Sequence, residues 1–199
     1  MNSILCTICM RSGSQGVKNK NIKLINGRSL MYYTIKQAIK SRIFDHIVVS
    51  TDSKKILRIA KSYGADGWFL RPKKLSLNSS QKVPVIRHAL LQAEKFYNKK
   101  FETIIDLDAT SPLRKTSDIL KAYKFFVKQK ANILFSGCKS KKNPYFNMIE
   151  IVNNKIDARF ILNVKVSNLP VFCFFPVPTS RIIIKIILKA LGRVFFILR

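Results

Sequence analysis

Glycines, hydroxyl residues and cations lie close together in "RSGSQGVKNKN", residues 11–21, directly after the apolar run "SILCTICM". Gly13 and Gly16 can take positive φ angles, which lets backbone N–H groups approach a phosphate. Ser12 and Ser14 add hydroxyl donors. The positive charges of the loop come from Arg11, Lys18 and Lys20. Neither GxGxxG nor GxxxxGK[ST] is present, so the loop fits a phosphate site and a solvated basic turn equally well.

The first 140 residues alternate between apolar runs and amphipathic segments, which predicts a βαβα order. The predicted strands lie in "SILCTICM", "HIVVSTD", "FETIIDLDATSPLR" and "ANILFSGCK", and the predicted helices in "SLMYYTIKQAIKSR", "SKKILRIAKSYG", "VPVIRHALLQAEKFY" and "TSDILKAYKFFVKQK". Ser53 or Asp52 should cap the second helix, and Ser117 or Thr116 the fourth. We therefore predict an α/β domain with a mostly parallel sheet.

Polar segments follow the predicted strands, and the carboxyl ends of parallel strands meet at one edge of a sheet. The segments concerned are the loop at 11–21, "STD" at 50–52, "LRP" at 70–72 and "DATSPLR" at 108–114. This edge is the expected binding crevice, and its cations indicate an anionic ligand.

Four ordered motifs, "RSGSQGVKNKN", "IVVSTD", "LRP" and "TSPLR", resemble the cytidylyltransferases that make CMP-activated sialic acids and related nonulosonic acids. The resemblance covers residues 3–150, and "QKVPVIRHAL" and "DLDATSPLR" look most like the legionaminic acid branch. It implies a Rossmann-like nucleotidyltransferase fold of the nucleotide-diphospho-sugar transferase type. It also implies transfer of CMP from CTP to a nine-carbon 2-keto acid sugar, with Mg²⁺ and release of pyrophosphate. A cytidylyltransferase for the eight-carbon acid of lipopolysaccharide is the close alternative.

The resemblance implies roles for residues of the first loops. Arg11 and Lys20 would be catalytic cations that bind the triphosphate, and Asn21 would help to hold the nucleotide. Arg71 would either face the nucleotide or anchor its loop. The full set of implied nucleotide-binding residues is Arg11, Ser12, Gly13, Ser14, Gly16, Lys20, Asn21, Arg71 and Ser80.

Asp108 occupies a position where many relatives carry Gln, and the resemblance makes it the third catalytic residue. Its carboxylate would bind a sugar hydroxyl or help to hold the metal, with Thr110 and Ser111 beside it in the substrate site. The alternative is an aspartate that only caps the following turn. Asp52 is expected to be structural, and no residue is assigned as a metal ligand.

The chain has 37 basic and 10 acidic residues, a formal charge of +27. Such a charge is typical of proteins that bind nucleic acid or an anionic membrane, and this function stays open as an alternative. The lysines are spread between apolar positions of helical segments, however, as on solvated helix faces. We therefore expect no nucleic-acid partner. Because no run of about 18 uncharged apolar residues occurs, we expect no membrane span.

Cys6 and Cys9 form a CxxC pair inside a predicted strand, where residues three apart point to opposite faces, so they do not suggest a zinc site. With Cys138 and Cys173 they are expected to be reduced thiols. No secretory signal is apparent, and we expect a cytoplasmic protein. His88, on a predicted helix, is expected to be a packed or surface imidazole.

The resemblance fades after "NPYFNMIEIVNNKID", which suggests an incomplete nucleotide-binding domain at 1–157 and a basic, apolar tail at 158–199. No Asp or Glu occurs from Ala158 to Arg199. The family would continue with an asparagine-glycine strand, a dimerisation arm that helps to form the neighbour's sugar site, and two aspartates associated with the metal. The implied partner is thus a second copy, but the arm is not visible.

Two interpretations of this tail compete. In the first, cations four residues apart on an apolar helix would lie on an anionic membrane surface; they are Arg181, Lys185, Lys189 and Arg193. In the second, the reading frame changes near residue 158, because AT-rich codons read out of frame give runs of Ile, Phe, Leu and Lys. The second interpretation implies an inactive nucleotide-binding remnant. Sequencing the gene beyond codon 158 in the other frames tests it.

Overall fold

The computed structural model describes residues 3–14, 16–129, 131, 133–138, 150–152, 155–157, 175–177, 181–184 and 194–198. The helices are α1 (Leu30–Ser41), α2 (Lys54–Ser62), α3 (Lys82–Tyr97) and α4 (Thr116–Lys128). The strands are β1 (Ile4–Cys9), β2 (Leu24–Ile25), β3 (Arg28–Ser29), β4 (His46–Ser50), β5 (Thr103–Leu107), β6 (Ile133–Cys138), β7 (Glu150–Val152), β8 (Lys155–Asp157), β9 (Phe175–Val177), β10 (Arg181–Ile184) and β11 (Val194–Leu198).

A seven-stranded sheet forms the centre of the domain, in the order β4-β1-β5-β11-β6-β10-β9. The first five of these strands are mutually parallel, whereas β10 and β9 are antiparallel to their neighbours. Two small antiparallel pairs, β2-β3 and β7-β8, lie outside it. The predicted α/β fold with a mostly parallel sheet is confirmed, and so are all four helices and all four strands expected in the first 140 residues.

Successive residues of β1 point to opposite faces of the sheet and enter two different hydrophobic clusters. Leu5 faces α3, where it packs in one cluster with Ile86. Cys6 faces the other side, in a cluster that contains Ile35 of α1 and Ile119 of α4. Each Leu or Ile side chain that is fully buried contributes about 1.5–3 kcal/mol. Helices on both faces therefore fix the strands whose ends carry the candidate site.

Two helix starts show how far local sequence predicts local structure. Ser53 caps α2 as expected, since its hydroxyl accepts a hydrogen bond from the N–H of Ile56 at 3.3 Å. The predicted cap of α4 is wrong: Thr116 is already helical and Lys115 holds the cap position. There the carboxylate of Asp118 accepts the N–H of Lys115 at 2.8 Å, the contact that the third helical residue supplies in a capping box.

One interpretation of the tail was an amphipathic helix with four cations on one face. The structure contradicts it at the first of these cations. Arg181 begins β10, which pairs with β6 and β9. Lys185, Lys189 and Arg193 lie outside the described residues. None of the helices in the described part of the chain is both long and apolar enough to cross a membrane.

Candidate active site

The loops after β1, β4 and β5 lie at the carboxyl edge of the sheet, and we call this edge the rim. The first two loops are in direct contact, because the N–H and the hydroxyl of Ser12 both donate to the carboxylate of Asp52, at 2.8 Å each. Burial acts to raise the pKa of Asp52, but the hydrogen bonds from Ser12 outweigh it and lower that pKa below its ordinary value. Asp52 thus holds the β1 loop against β4, in agreement with the structural role expected of it.

Arg71 is buried and connects three segments of the rim. Its guanidinium donates to the carbonyl of Met10 at 2.9 Å and to the hydroxyl of Ser76 at 3.2 Å. Its backbone N–H donates to the carbonyl of Thr51 at 2.8 Å. Burial lowers the pKa of Arg71, although a guanidinium keeps its charge at neutral pH. The sequence left two roles open for Arg71, to face the nucleotide or to anchor its loop. These contacts correspond to the second role.

The two cations expected to bind phosphate lie at the ends of the β1 loop. Asn21 is buried, and its side-chain amide donates to the main-chain carbonyl of Arg11 at 3.0 Å, which closes the loop. The guanidinium of Arg11 contacts the neutral side-chain oxygen of Asn78. The ammonium of Lys20 has no hydrogen-bond or ion-pair partner among the described residues. Neither charge is neutralised by a carboxylate in the described part of the chain, so both can bind an anion.

The glycines of this loop do not take the conformation that the sequence suggested. Gly13 and Gly16 both lack a positive φ angle, and Asn19 has the left-handed conformation instead, with φ at 55°. Asparagine is among the few non-glycine residues that adopt it at low cost. A Cβ atom at Gly13 or Gly16 would meet no atom of the described residues within 4 Å, so contacts with this part of the chain require glycine at neither position.

The turn after β5 is held through the main chain of Asp108. Its carbonyl accepts hydrogen bonds from the hydroxyl of Thr34 at 3.1 Å and from the guanidinium of Arg114 at 3.0 Å. Arg114 is buried and also donates to the side-chain oxygen of Gln37 at 3.2 Å. Gln37 donates in turn to the carbonyl of Pro112 at 2.9 Å. Arg114 thus anchors this turn, and the Asp108 carboxylate is directed elsewhere.

That carboxylate belongs to an ionic cluster that the sequence did not reveal to us. The ammonium of Lys82 lies 2.7 Å from Oδ1 of Asp108 and 2.7 Å from Oδ2 of Asp106. The Asp106 side chain is fully buried, and the hydroxyl of Thr7 donates to its Oδ1 at 2.8 Å. Burial acts to lower the pKa of Lys82, but the two carboxylates outweigh it and raise that pKa above its usual value. The candidate site therefore includes Lys82 and Asp106.

Two sequence signals could have identified this cluster. In "DLD", Asp106 lies near the end of β5 and Asp108 follows it directly, and residues two apart in extended backbone point to the same side of the sheet. Lys82 stands at the start of a helix, where a positive charge is unfavourable because it meets the positive end of the helix dipole. A carboxylate close to such a lysine would offset this cost, and the two aspartates of "DLD" are candidates for that role.

The remaining candidates lie around the rim without a direct link to the cations of the β1 loop among the described contacts. The hydroxyl of Ser80 donates to the carbonyl of Lys74 at 3.1 Å, so it fastens its own loop. Thr110 is exposed to solvent, and the carbonyl of Ser111 accepts the N–H of Arg114 at 3.2 Å.

The other titratable groups near the rim do not suggest further chemistry. Burial and then the charge of Asp106 raise the pKa of Cys9, so its thiol stays protonated at neutral pH. His88 is half-buried beside the ring of Phe69, 5.5 Å away, as a packed imidazole would be. No three potential metal-ligating side chains (His, Cys, Asp or Glu) come together among the described residues.

The contact between Ser12 and Asp52 gives a first prediction. Asp52→Ala removes both acceptors of the Ser12 donors and should destabilise the domain by about 1–3 kcal/mol. Asp52→Asn should cost less, because the amide can accept from the N–H and donate to the hydroxyl of Ser12. Urea unfolding of the two variants measures the difference. Equal stability of both variants would contradict the anchoring role.

A mostly parallel α/β sheet with a basic loop after its first strand and carboxylates at the carboxyl end of a central strand is the arrangement expected of a nucleotidyltransferase. The family model described as "Cytidylyltransferase" matches residues 5–165, and the chain belongs to that family. The match reaches a few residues beyond position 157, where the sequence motifs fade.

Comparison with known proteins agrees with this assignment. The chain is 46% identical over 156 residues to "Post-translational flagellin modification protein B" of Campylobacter coli, and 49% identical over 156 residues to "CMP-N,N'-diacetyllegionaminic acid synthase" of Campylobacter jejuni. Each alignment covers 78% of this chain and 66% of the relative, so the chain spans slightly less than two thirds of their length. The resemblance to the nonulosonic acid family is thereby confirmed.

A solved structure shares the fold. It is a CMP:2-keto-3-deoxy-manno-octonic acid synthetase in complex with CTP, with a TM-score of 0.60 and 12% sequence identity. The alignment covers 93% of this chain and 72% of that protein. At this identity the similarity establishes the architecture, and the roles of single residues have to be argued from this chain.

Proposed function

We propose that this chain transfers CMP from CTP to the anomeric hydroxyl of a sialic acid-like nonulosonic acid. The hydroxyl oxygen forms a bond to the α-phosphorus of CTP, and the bond from that phosphorus to the bridging oxygen breaks to release pyrophosphate. The observation that carries the proposal is the rim, where a loop with two cations free of carboxylate partners among the described residues lies at the same sheet edge as the Asp108 carboxylate. The name of the Campylobacter jejuni relative, a CMP-N,N'-diacetyllegionaminic acid synthase, supports the choice of sugar class.

The β1 loop would bind the triphosphate. Negative charge grows on the bridging oxygen and the leaving pyrophosphate as the bond breaks, and fixed cations lower the energy of that state. Arg11 and Lys20 supply such charges from positions that the Asn21 hydrogen bond holds in place. Because Asp52 and Arg71 also fix this loop, the cations need little rearrangement when CTP binds.

The residues present fit a Mg²⁺ ion bound mainly through the nucleotide. Mg²⁺ commonly takes one or two carboxylates and completes its six ligands with phosphate oxygens and water. The Asp108 side chain is 23% exposed at the rim and offers such a carboxylate, whereas Asp106 is fully buried. We propose that Asp108 helps to hold Mg²⁺, which would neutralise charge on the phosphates when bound. Binding of a sugar hydroxyl is the second role open to Asp108, with Thr110 and Ser111 nearby in the chain.

A pyrophosphate-release assay tests this function. The purified chain should release pyrophosphate from CTP in the presence of Mg²⁺ and a diacetylated legionaminic acid, and should release less with N-acetylneuraminic acid. ATP in place of CTP is the matched control and should give no signal above the protein-free blank. Pyrophosphate release with ATP equal to that with CTP would contradict the proposal.

A non-catalytic nucleotide-binding protein is the second candidate. It is favoured by the absence of any acidic residue from Ala158 to Arg199, since that segment offers no carboxylate for a metal. This candidate predicts saturable CTP binding by calorimetry with no pyrophosphate release for any of the sugars. The same pair of measurements therefore distinguishes the two functions.

We also propose a cytoplasmic site of action and a homodimer. Cys6 and Cys9 are free thiols, as expected in a reducing compartment. The homodimer is supported by the family resemblance, and sedimentation equilibrium of the purified chain would test it.

A further inference from the structure

The face of the sheet covered by α3 changes from apolar to polar towards the rim. Leu5 and Ile104 lie in the hydrophobic cluster beneath α3, and the residues two positions further along their strands are Thr7 and Asp106. Thr7 and Asp106 are register partners between β1 and β5 and are joined by a 2.8 Å hydrogen bond. The buried carboxylate therefore lies under the first turn of α3, where a buried charge requires a partner.

Lys82 supplies that partner from an unfavourable position. It is the first residue of α3, the first turn contains no acidic residue, and the preceding Gln81 provides no side-chain cap. A cation beside the positive end of a helix dipole costs about 0.3–1 kcal/mol in an exposed helix. Asp106 and Asp108 offset this cost, each with an oxygen 2.7 Å from the ammonium.

We propose that Lys82 is a positioning residue, whose ammonium fixes the Asp108 carboxylate at the rim relative to the start of α3. This inference rests on the proposed function for the role of Asp108. One ammonium contacts a fully buried carboxylate and a carboxylate that is 23% exposed. The hydrogen bond from Thr7 and the sheet fix the position of Asp106. Because the same ammonium contacts both carboxylates, it also restricts the position of the more exposed Asp108.

The same ion pair joins two loops of the site. Lys82 follows directly on the segment that contains Asn78, whose side chain contacts Arg11 of the β1 loop. Asp108 begins the loop after β5. By connecting residues 26 positions apart, the contact between Lys82 and Asp108 couples the nucleotide side of the rim to its carboxylate side.

A double-mutant cycle on CTP binding tests the proposal. Lys82→Met should weaken CTP binding in the presence of Mg²⁺ by about tenfold or more, because a displaced carboxylate loses a charge-assisted contact. If Lys82 acts through Asp108, Lys82→Met combined with Asp108→Asn should bind CTP within about twofold of Asp108→Asn alone. Additive losses would mean that Lys82 contacts the nucleotide itself, and this would overturn the proposal.

Two further variants separate positioning from a purely structural role. Lys82→Met combined with Asp106→Asn removes the ammonium and the buried carboxylate together, so its thermal stability should recover relative to Lys82→Met alone, yet CTP binding should stay weak. Lys82→Arg keeps the charge and should recover affinity to within about threefold. Lys95→Met, on the last turn of the same helix, is the matched control and should change affinity by less than about twofold. Full recovery of CTP affinity in the Lys82→Met, Asp106→Asn double variant would overturn the proposal.

Failure of the proposed function would leave this inference testable. If the parent chain does not bind CTP, the proposed function is wrong, and a crystal structure of ligand-free Lys82→Met combined with Asp106→Asn decides the inference. The Asp108 carboxylate should then be displaced from its position in the parent. An unchanged carboxylate position would overturn the role given to Lys82.

Discussion

Asp108→Asn should lower turnover about 100- to 1,000-fold, the loss typical of removing one electrostatic contact to a transition state. The substitution keeps the shape of the side chain, and its amide oxygen can still accept from Lys82. It removes the negative charge of the carboxylate, which we propose binds Mg²⁺ or the sugar hydroxyl. Initial rates of pyrophosphate release at saturating CTP measure the effect.

The dependence on Mg²⁺ distinguishes the two roles open to Asp108. If it helps to hold the metal, Asp108→Asn should weaken CTP binding measured with Mg²⁺ and leave binding without Mg²⁺ nearly unchanged. If Asp108 binds only the sugar, the variant should bind CTP as tightly as the parent does, both with and without Mg²⁺. The KM for the sugar should then rise. Asp66→Asn is the control. Asp66 is an exposed aspartate in the segment that follows α2, and its carboxylate accepts a hydrogen bond from the hydroxyl of Tyr97. Parental turnover in Asp108→Asn would remove this residue from the mechanism.

The fold was predictable from the sequence because each element satisfies its own local rules. Strand β1 is a continuous apolar run, as required of a strand covered by helices on both faces. Helix α2 begins where Ser53 offers its hydroxyl to the first turn. The prediction failed at the start of α4, where Lys115 holds the cap position and the Asp118 carboxylate accepts its N–H, because the hydroxyls of Thr116 and Ser117 drew attention to the wrong residues.

The sequence indicated single residues of the site more readily than the contacts between them. The cations of "RSGSQGVKNKN" are visible in the sequence because 11 consecutive residues carry them. Lys82 and Asp106 are 24 positions apart, and only the pairing of β1 with β5 and the packing of α3 bring them together. Arg71 shows the same limit, since its carbonyl partner at Met10 is 61 positions away. Long-range polar contacts of this kind leave little local pattern in a sequence.

Removal of either cation of the β1 loop should show whether the loop binds a triphosphate. Arg11→Ala should lose one or two charge-assisted hydrogen bonds of roughly 1.5–3 kcal/mol each, so that CTP affinity falls about ten- to several hundred-fold. Lys20→Ala should have a similar effect, because its ammonium has no partner among the described residues that competes with the phosphates. Lys36→Ala, on α1, is the matched control and should change affinity little. Calorimetric titration of CTP measures all three variants, and a merely basic surface would respond to each of them about equally. Parental CTP affinity in a folded Arg11→Ala variant would show that this loop does not bind the nucleotide.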